Sequence, residues 1–346
     1  MIGRRYRLGA ALACALTLLI LVPRPAAANG WEHGAVPFET LIEALSFESP
    51  AIREQAAHSL GFRGQPEAAR PLLDRLALPE PDGGVRQSIY EALGRLGTPE
   101  ALPALWRCQA KESAAPIRAH CIEALGRLGS REAVGIVLAA LARTTDAVVR
   151  DHAVDALGNF PYRRVVAALA DLLPGADETL RQRVLLALGR TGAEAAVAPV
   201  LHAFETAGSD GERFAALHAL AGLGSPAATE ALSAALAEAG NPRLRAAIAV
   251  ALGASRDGEA AGTLLAMLED PVPAVRYMAA EGLQTLGIRS AAPALAALAR
   301  REAAALAGRP ATELAADSLR TVATLSLQAR ALRAAVALAP ARAADA

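Results

Sequence analysis

Ile117-Arg118-Ala119-His120-Cys121-Ile122-Glu123-Ala124-Leu125-Gly126-Arg127-Leu128-Gly129 is one copy of a phrase that this chain repeats. Its arginine returns as Arg53, Arg86, Arg118, Arg150, Arg181, Arg213, Arg245 and Arg276, at gaps of 33, 32, 32, 31, 32, 32 and 31 residues. Seven positions after each arginine stands a leucine: Leu60, Leu93, Leu125, Leu157, Leu188, Leu220, Leu252 and Leu283. The residue before that leucine is always small, from Ser59 and Ala92 through to Gly282, which lets neighbouring helices approach closely. A period of this length is the mark of stacked helical hairpins, each too small to bury its own apolar face.

Each repeat reads as two helices. Ser49, Asp82, Asp146, Asp177, Ser209 and Asn241 stand four residues before their arginines. Their side chains can accept from the free backbone N–H groups of a helix start. Glycine follows eight positions after the arginine in six repeats, as Gly61, Gly94, Gly126, Gly158, Gly189 and Gly253. Because glycine adopts positive φ without a Cβ penalty, it is expected to end the first helix, with Gly97, Gly129 and Gly192 completing a tight turn. The second helix then starts with its own cap, as at Thr98-Pro99-Glu100 and Ser225-Pro226. It carries an aliphatic residue nineteen after the arginine: Leu72, Leu105, Val137, Leu169, Val200, Leu232, Leu264 and Leu295. Each such side chain is worth roughly 1.5–3 kcal/mol when buried, so these registers dominate the expected stability.

The pattern V/I/L-R-x-x-A-x-x-A-L-G-x-L-G is clearest from Val85-Arg86 to Gly97, Ile117-Arg118 to Gly129 and Leu180-Arg181 to Gly192. It resembles the HEAT-like repeats first grouped around phycobilisome lyases, over roughly residues 36–300. The resemblance implies an all-α, right-handed α-solenoid of about eight HEAT-like repeats. Families with this repeat include scaffolds, pigment lyases, a DNA glycosylase group and a di-iron hydroxylase, so the likeness implies a fold and no single activity. Pro161, Ala221, Arg256 and Gln284 replace expected glycines and read as drift. The run Phe160-Pro161-Tyr162 is the oddest of these departures.

The ends read differently from the middle. Arg4, Arg5 and Arg7, the apolar run from Leu8 to Val22 and Ala26-Ala27-Ala28 form an export signal over residues 1–28. Residues 29–48 are a lead with a capping helix, in which Phe38 to Leu45 looks like a lone second helix. Residues 49–300 hold the repeats, 301–339 the closing helices and 340–346 a disordered tail. Export to a periplasm is expected. The apolar run is short of the about 20 residues a span needs, which favours cleavage; the alternative is an uncleaved N-terminal anchor facing the periplasm.

Basic and acidic residues balance at 35 each, and losing residues 1–28 removes four arginines and no acid. A mature chain that is slightly acidic overall lacks the basic stripe nucleic acid demands. Aromatics are 3%, too few for stacking platforms. No H-E-x-x-H, G-x-S-x-G or P-loop motif occurs, nor the His-Glu dipeptide expected of the di-iron relatives. No catalytic residue, cofactor or metal site is therefore expected. His120 and His152, one repeat apart in one register, read as helix-surface residues.

The repeat arginines read as a structural ladder paired with cap-region acids such as Asp82, Asp146 and Asp177. Arg95, Arg127 and Arg190 share a register in the inter-helix turn and form a possible basic docking edge. Cys108 and Cys121, the cysteines left after residue 28, fall on consecutive helices; a disulfide or two separate thiols both fit. Second helices line the binding face in solenoids of this type. By register the partner candidates are Arg70, Asp74, Trp106, Arg107, Asp171 and His202, with Glu230 beyond them. Trp106 lies in a mixed apolar register, which favours a core position over a contact. The expected function is a non-catalytic scaffold binding one or more proteins, with a bilin-lyase-like enzyme or a membrane-anchored adaptor as alternatives.

Overall fold

All sixteen leucine, valine and leucine-register positions named above, seven and nineteen residues after each arginine, have no solvent-exposed surface. They form the core of a computed structural model that describes residues 36–307. The chain divides into two compact units at Leu96/Gly97, inside the expected repeat region.

The first unit holds α1 (Phe38–Ala44), α2 (Pro50–Arg63), α3 (Ala69–Ala77) and α4 (Gly83–Leu96). The second holds α5 (Leu102–Lys111), α6 (Ala115–Leu128), α7 (Arg131–Arg143), α8 (Ala147–Leu157), α9 (Arg163–Ala170) and α10 (Glu178–Arg190). It continues with α11 (Val197–Glu205), α12 (Asp210–Leu223), α13 (Pro226–Ala237), α14 (Pro242–Ala254), α15 (Ala260–Met267), α16 (Pro273–Thr285) and α17 (Ala292–Ala307). No strand occurs among the described residues. Even-numbered helices carry the repeat arginines. Within the first unit α2 packs on α4; within the second α6, α8, α10, α12, α14 and α16 pack each on the next. This is an all-α solenoid of helical hairpins, with α1 in the place of the lone helix expected at Phe38 to Leu45.

The two glycines of the phrase do different jobs, which corrects the reading of the first as a helix end. Gly61, Gly126, Gly189 and Gly253 lie inside their helices. A Cβ on Gly61 would fall 2.5 Å from Ala92 Cα, on Gly189 2.6 Å from Ala219 Cα, and on Gly253 2.5 Å from Gly282 Cα. Each of these glycines thus rests on the small residue of the next repeat and sets how closely the backbones approach. The second glycine is the terminator: Gly64, Gly129 and Gly224 are left-handed caps of α2, α6 and α12. Arg256 takes that conformation itself, at φ 59°, where repeat seven lacks the glycine.

Most helix starts follow the expected caps. Asp146 accepts from the amides of Val148 and Val149, Asp177 from Leu180, Ser209 from Glu212, Asn241 from Arg243, and Asp82 from Val85. Ser49 makes no such bond, and α2 relies on Pro50 at its first position. Thr98 also caps nothing: a 3-10 turn over Pro99–Ala101 leads into α5 instead. Ser225 does cap α13, through the Ala228 amide. At Pro161 the chain leaves α8 early and drops Phe160 into the core, 1% exposed. The expected export signal, the first part of the expected lead, most of the expected closing helices and the expected tail lie outside the described residues.

Candidate interaction surface

The repeat arginines are brackets. Arg245 donates through Nη1 to the carbonyls of Ala239 and Gly240, which hold the loop before its own helix. Its Nε and Nη2 donate to Asp270, 2.7 and 3.2 Å away, in the loop before the next arginine helix. Arg276 binds the Asp270 and Pro271 carbonyls and Glu302, here within α17 and not in a loop, at 2.9 and 2.7 Å. Arg181 binds the Ala176 carbonyl and Glu212, in the first turn of α12, at 2.8 and 2.5 Å. Arg53 holds the Phe47 and Glu48 carbonyls and both oxygens of Glu80, at 2.8 and 2.9 Å. Arg118 binds the Glu112 and Ser113 carbonyls and lies 3.9 Å from Asp146. Arg86 binds the Glu80 and Pro81 carbonyls, and Arg213 the Ala207 carbonyl and Asp210. Arg150 departs from the scheme and meets Asp151 on its own helix.

The acids are mostly not the ones expected. Asp177 is occupied as a cap, whereas Glu80, Glu212, Asp270 and Glu302 receive the guanidinium groups. They stand 27, 31, 25 and 26 residues after their arginines, and this uneven spacing hid them from a register search. Glu80 is nearly inaccessible and also pairs with Arg75. Burial alone would push its carboxyl up. The hydrogen bond from Arg53, the Asp82 amide and the charges of Arg75 and Arg53 outweigh that and hold it below the usual glutamate value. Asp270 is likewise pushed up by burial, and held below its usual value by Arg245, the Val272 amide and the Arg276 charge. The hydrogen bonds to Glu80 and Asp270 raise Arg53 and Arg245 against the opposing effect of burial. These residues spend their charge inside the fold.

The supposed basic edge is largely spent too. Arg127 donates to Glu123 at 2.5 Å, and Arg190 to Asp155 at 2.9 Å. Only Arg95 of that set has no ion pair among the described residues and stands exposed. His120 and His152 come together, with ring centroids 5.9 Å apart, and each Nδ1 lies 3.8 Å from Glu123 Oε2. No group of three or more potential ligands suited to a metal ion occurs among the described residues.

The partner candidates sit on odd-numbered helices. Arg70 and Asp74 are exposed on α3 and pair with each other at 2.9 Å. Asp171 ends α9 and His202 lies on α11, both exposed, as is Glu230 on α13. Trp106 corrects its expected core placement: it is 51% exposed on α5, beside exposed Arg107. Two slots open along this face of the second unit. One, of about 490 Å³, lies between α5 and α7 and is lined by Trp106, Gln109, Ile136, Ala139, Arg143 and Val149 among others. The other, of about 620 Å³, lies between α11 and α13 and includes Leu201, Phe204, Glu205, Ala234, Glu238 and Leu244. Sequence register located Trp106 but not Arg143 or Ile136, which line the same slot from the next hairpin. Cys108, on the same helix as Trp106, and Cys121 form a disulfide that ties α5 to α6, with their Cα atoms 6.1 Å apart.

Among solved structures the chain is similar to human deoxyhypusine hydroxylase in complex with glycerol, at 23% identity, covering 72% of this chain and 95% of that one, with a TM-score of 0.33. It is similar to the complex of CpcE and CpcF of phycocyanin lyase from Nostoc, at 22% identity over 76% and 91%, TM-score 0.39. It is also similar to Kap95p in a structure with RanGDP, at 15% identity over 90% of this chain and 47% of that one, TM-score 0.49. A search of the curated proteins finds no match. The family model for HEAT repeats matches residues 26–83, 39–126, 109–178, 166–253 and 229–316 in overlapping windows. Those windows span the bracketed hairpins from end to end of the described chain, which belongs to the HEAT-repeat family.

Proposed function

We propose that this chain is an exported, non-catalytic scaffold that binds one or more proteins along its odd-numbered helices. The observation that carries the reading is the division of labour between the two helix sets. Seven of the eight repeat arginines, all but Arg150, are engaged by loop carbonyls and, in most cases, acids, so they are not a ladder for a partner. The odd helices offer solvent a half-exposed tryptophan and slots of 490 and 620 Å³. Open slots framed by aromatic and arginine side chains suit protein contacts, where such residues supply most of the binding energy. Export is supported by the basic and apolar segments of residues 1–28 and by the Cys108–Cys121 bridge, since disulfides persist in oxidising compartments. Nucleic acid is not among the proposed partners.

Crosslinking with mass spectrometry in the native envelope tests the scaffold. Crosslinks from α5, α7, α11 or α13 to other proteins are expected, and crosslinks confined to even-numbered helices would contradict it. N-terminal sequencing of the exported protein distinguishes a free scaffold, beginning near Asn29, from one anchored by residues 1–28.

A further inference from the structure

The slot between α5 and α7 carries more than shape. Trp106 is a large apolar side chain left half in water, and it lines the slot together with Ile136, Ala139 and Val149. An indole in that position can bury a second apolar side chain against its face, the role of a hot-spot anchor. The charges around it are unequal. Arg143 lines the slot and is exposed; Arg107 and Lys111, four residues apart, are exposed on the helix that bears Trp106, outside the slot lining. None of the three has an ion pair among the described residues. The acids are otherwise occupied: Asp146 caps α8 and faces Arg118, and Glu112 is itself engaged. The free charge at this slot is therefore positive. The slot between α11 and α13 has the opposite balance, with exposed Glu205 and Glu238, and Arg213 turned to Asp210. Preformed walls also favour binding, because less ordering is needed on contact. The Cys108–Cys121 disulfide fixes α5, the helix that bears Trp106, to α6.

From this juxtaposition we infer that the Trp106 slot docks an acidic polypeptide segment, placing an apolar or aromatic side chain on Trp106 and a carboxylate on Arg143, with the exposed Arg107 and Lys111 of α5 adding positive charge outside the slot. The inference rests on the scaffold reading and narrows it to one site and one partner chemistry.

The test is a fluorescence-anisotropy titration of the full-length exported protein with labelled synthetic peptides. One peptide has a Phe-Leu pair flanked by glutamates. A second has the same pair flanked by lysines, and a third keeps the glutamates but carries serines in place of Phe-Leu. The first peptide is expected to bind, the other two at least about tenfold more weakly. Its affinity should fall at least about tenfold in Trp106→Ala and in Arg143→Glu, and should weaken as salt is raised. Both side chains are exposed, so melting curves of the two variants are expected to match the parent. Equal affinity in parent and variants, equal affinity for the lysine peptide, or no binding by the acidic peptide overturns the slot. The scaffold itself stands or falls separately on the native crosslinks: partners held only at α11 and α13 would sink this site and leave the wider reading intact.

Discussion

At the residue scale, position matters more than residue type. Gly189 and Gly262 are both helical, yet they predict opposite responses to the same change. Ala at 189 would set its Cβ 2.6 Å from Ala219 Cα and 2.8 Å from Ala219 O, so α10 and α12 must move apart. Such overpacking costs about 1–3 kcal/mol. Ala at 262 meets nothing within 4 Å, and removes backbone freedom from the unfolded chain. Gly262→Ala should therefore stabilise by up to about 1 kcal/mol. Denaturant midpoints of the two variants check the signs, and a shared sign would refute the assignment of Gly189 as a contact glycine. Arg256 gives a third case. An arginine held at φ 59° is strained by roughly 1–2 kcal/mol. Arg256→Gly should raise the melting midpoint, with a net gain of about 1 kcal/mol after the extra chain entropy of glycine.

At the element scale, the loops are held by charge and the helices by packing. Glu80 joins the loop before α4 to Arg53 on α2 and to Arg75 on α3. Removing one partner from a buried pair leaves the other uncompensated, at a cost of about 3–5 kcal/mol. Glu80→Gln should approach the lower figure, because the amide keeps one acceptor. The pH dependence has a definite sign. Glu80 and Asp270 have folded pKa values held below their unfolded ones. Their contribution is complete above the unfolded carboxylate range, near about 4, and is lost as pH falls through the lower folded values. Unfolding followed from pH 7 to pH 2 should show a loss of stability beginning near about pH 4, and Glu80→Gln should flatten it. A Gln variant with an unaltered acid limb would remove Glu80 from this role.

Across the whole molecule, the repeat was legible because its cause is periodic. A residue that must be buried once per hairpin recurs once per hairpin, and Leu60 through Leu283 announce it. The arginines were legible as ladder positions for the same reason. Apart from Asp146, their acid partners were not, because loops between α3 and α4 or between α11 and α12 vary in length, and an acid reaches its guanidinium from several places. Trp106 was visible as a residue but not as a slot, since Ile136 and Arg143 join it only when α7 packs beside α5. The two glycines were confused because a chain pattern does not separate a left-handed φ from a contact at 2.6 Å. The claim beneath all of this is that equivalent positions in successive hairpins have equivalent environments. Leu157, Leu188, Leu220 and Leu252 are each fully buried in the second unit. Replacing them one at a time with Ala, and following denaturant unfolding by helical circular dichroism, tests it directly. Each is expected to cost about 2–5 kcal/mol, with similar values along the series. A near-neutral result at one position beside a large loss at its neighbours would contradict the stacked-hairpin account.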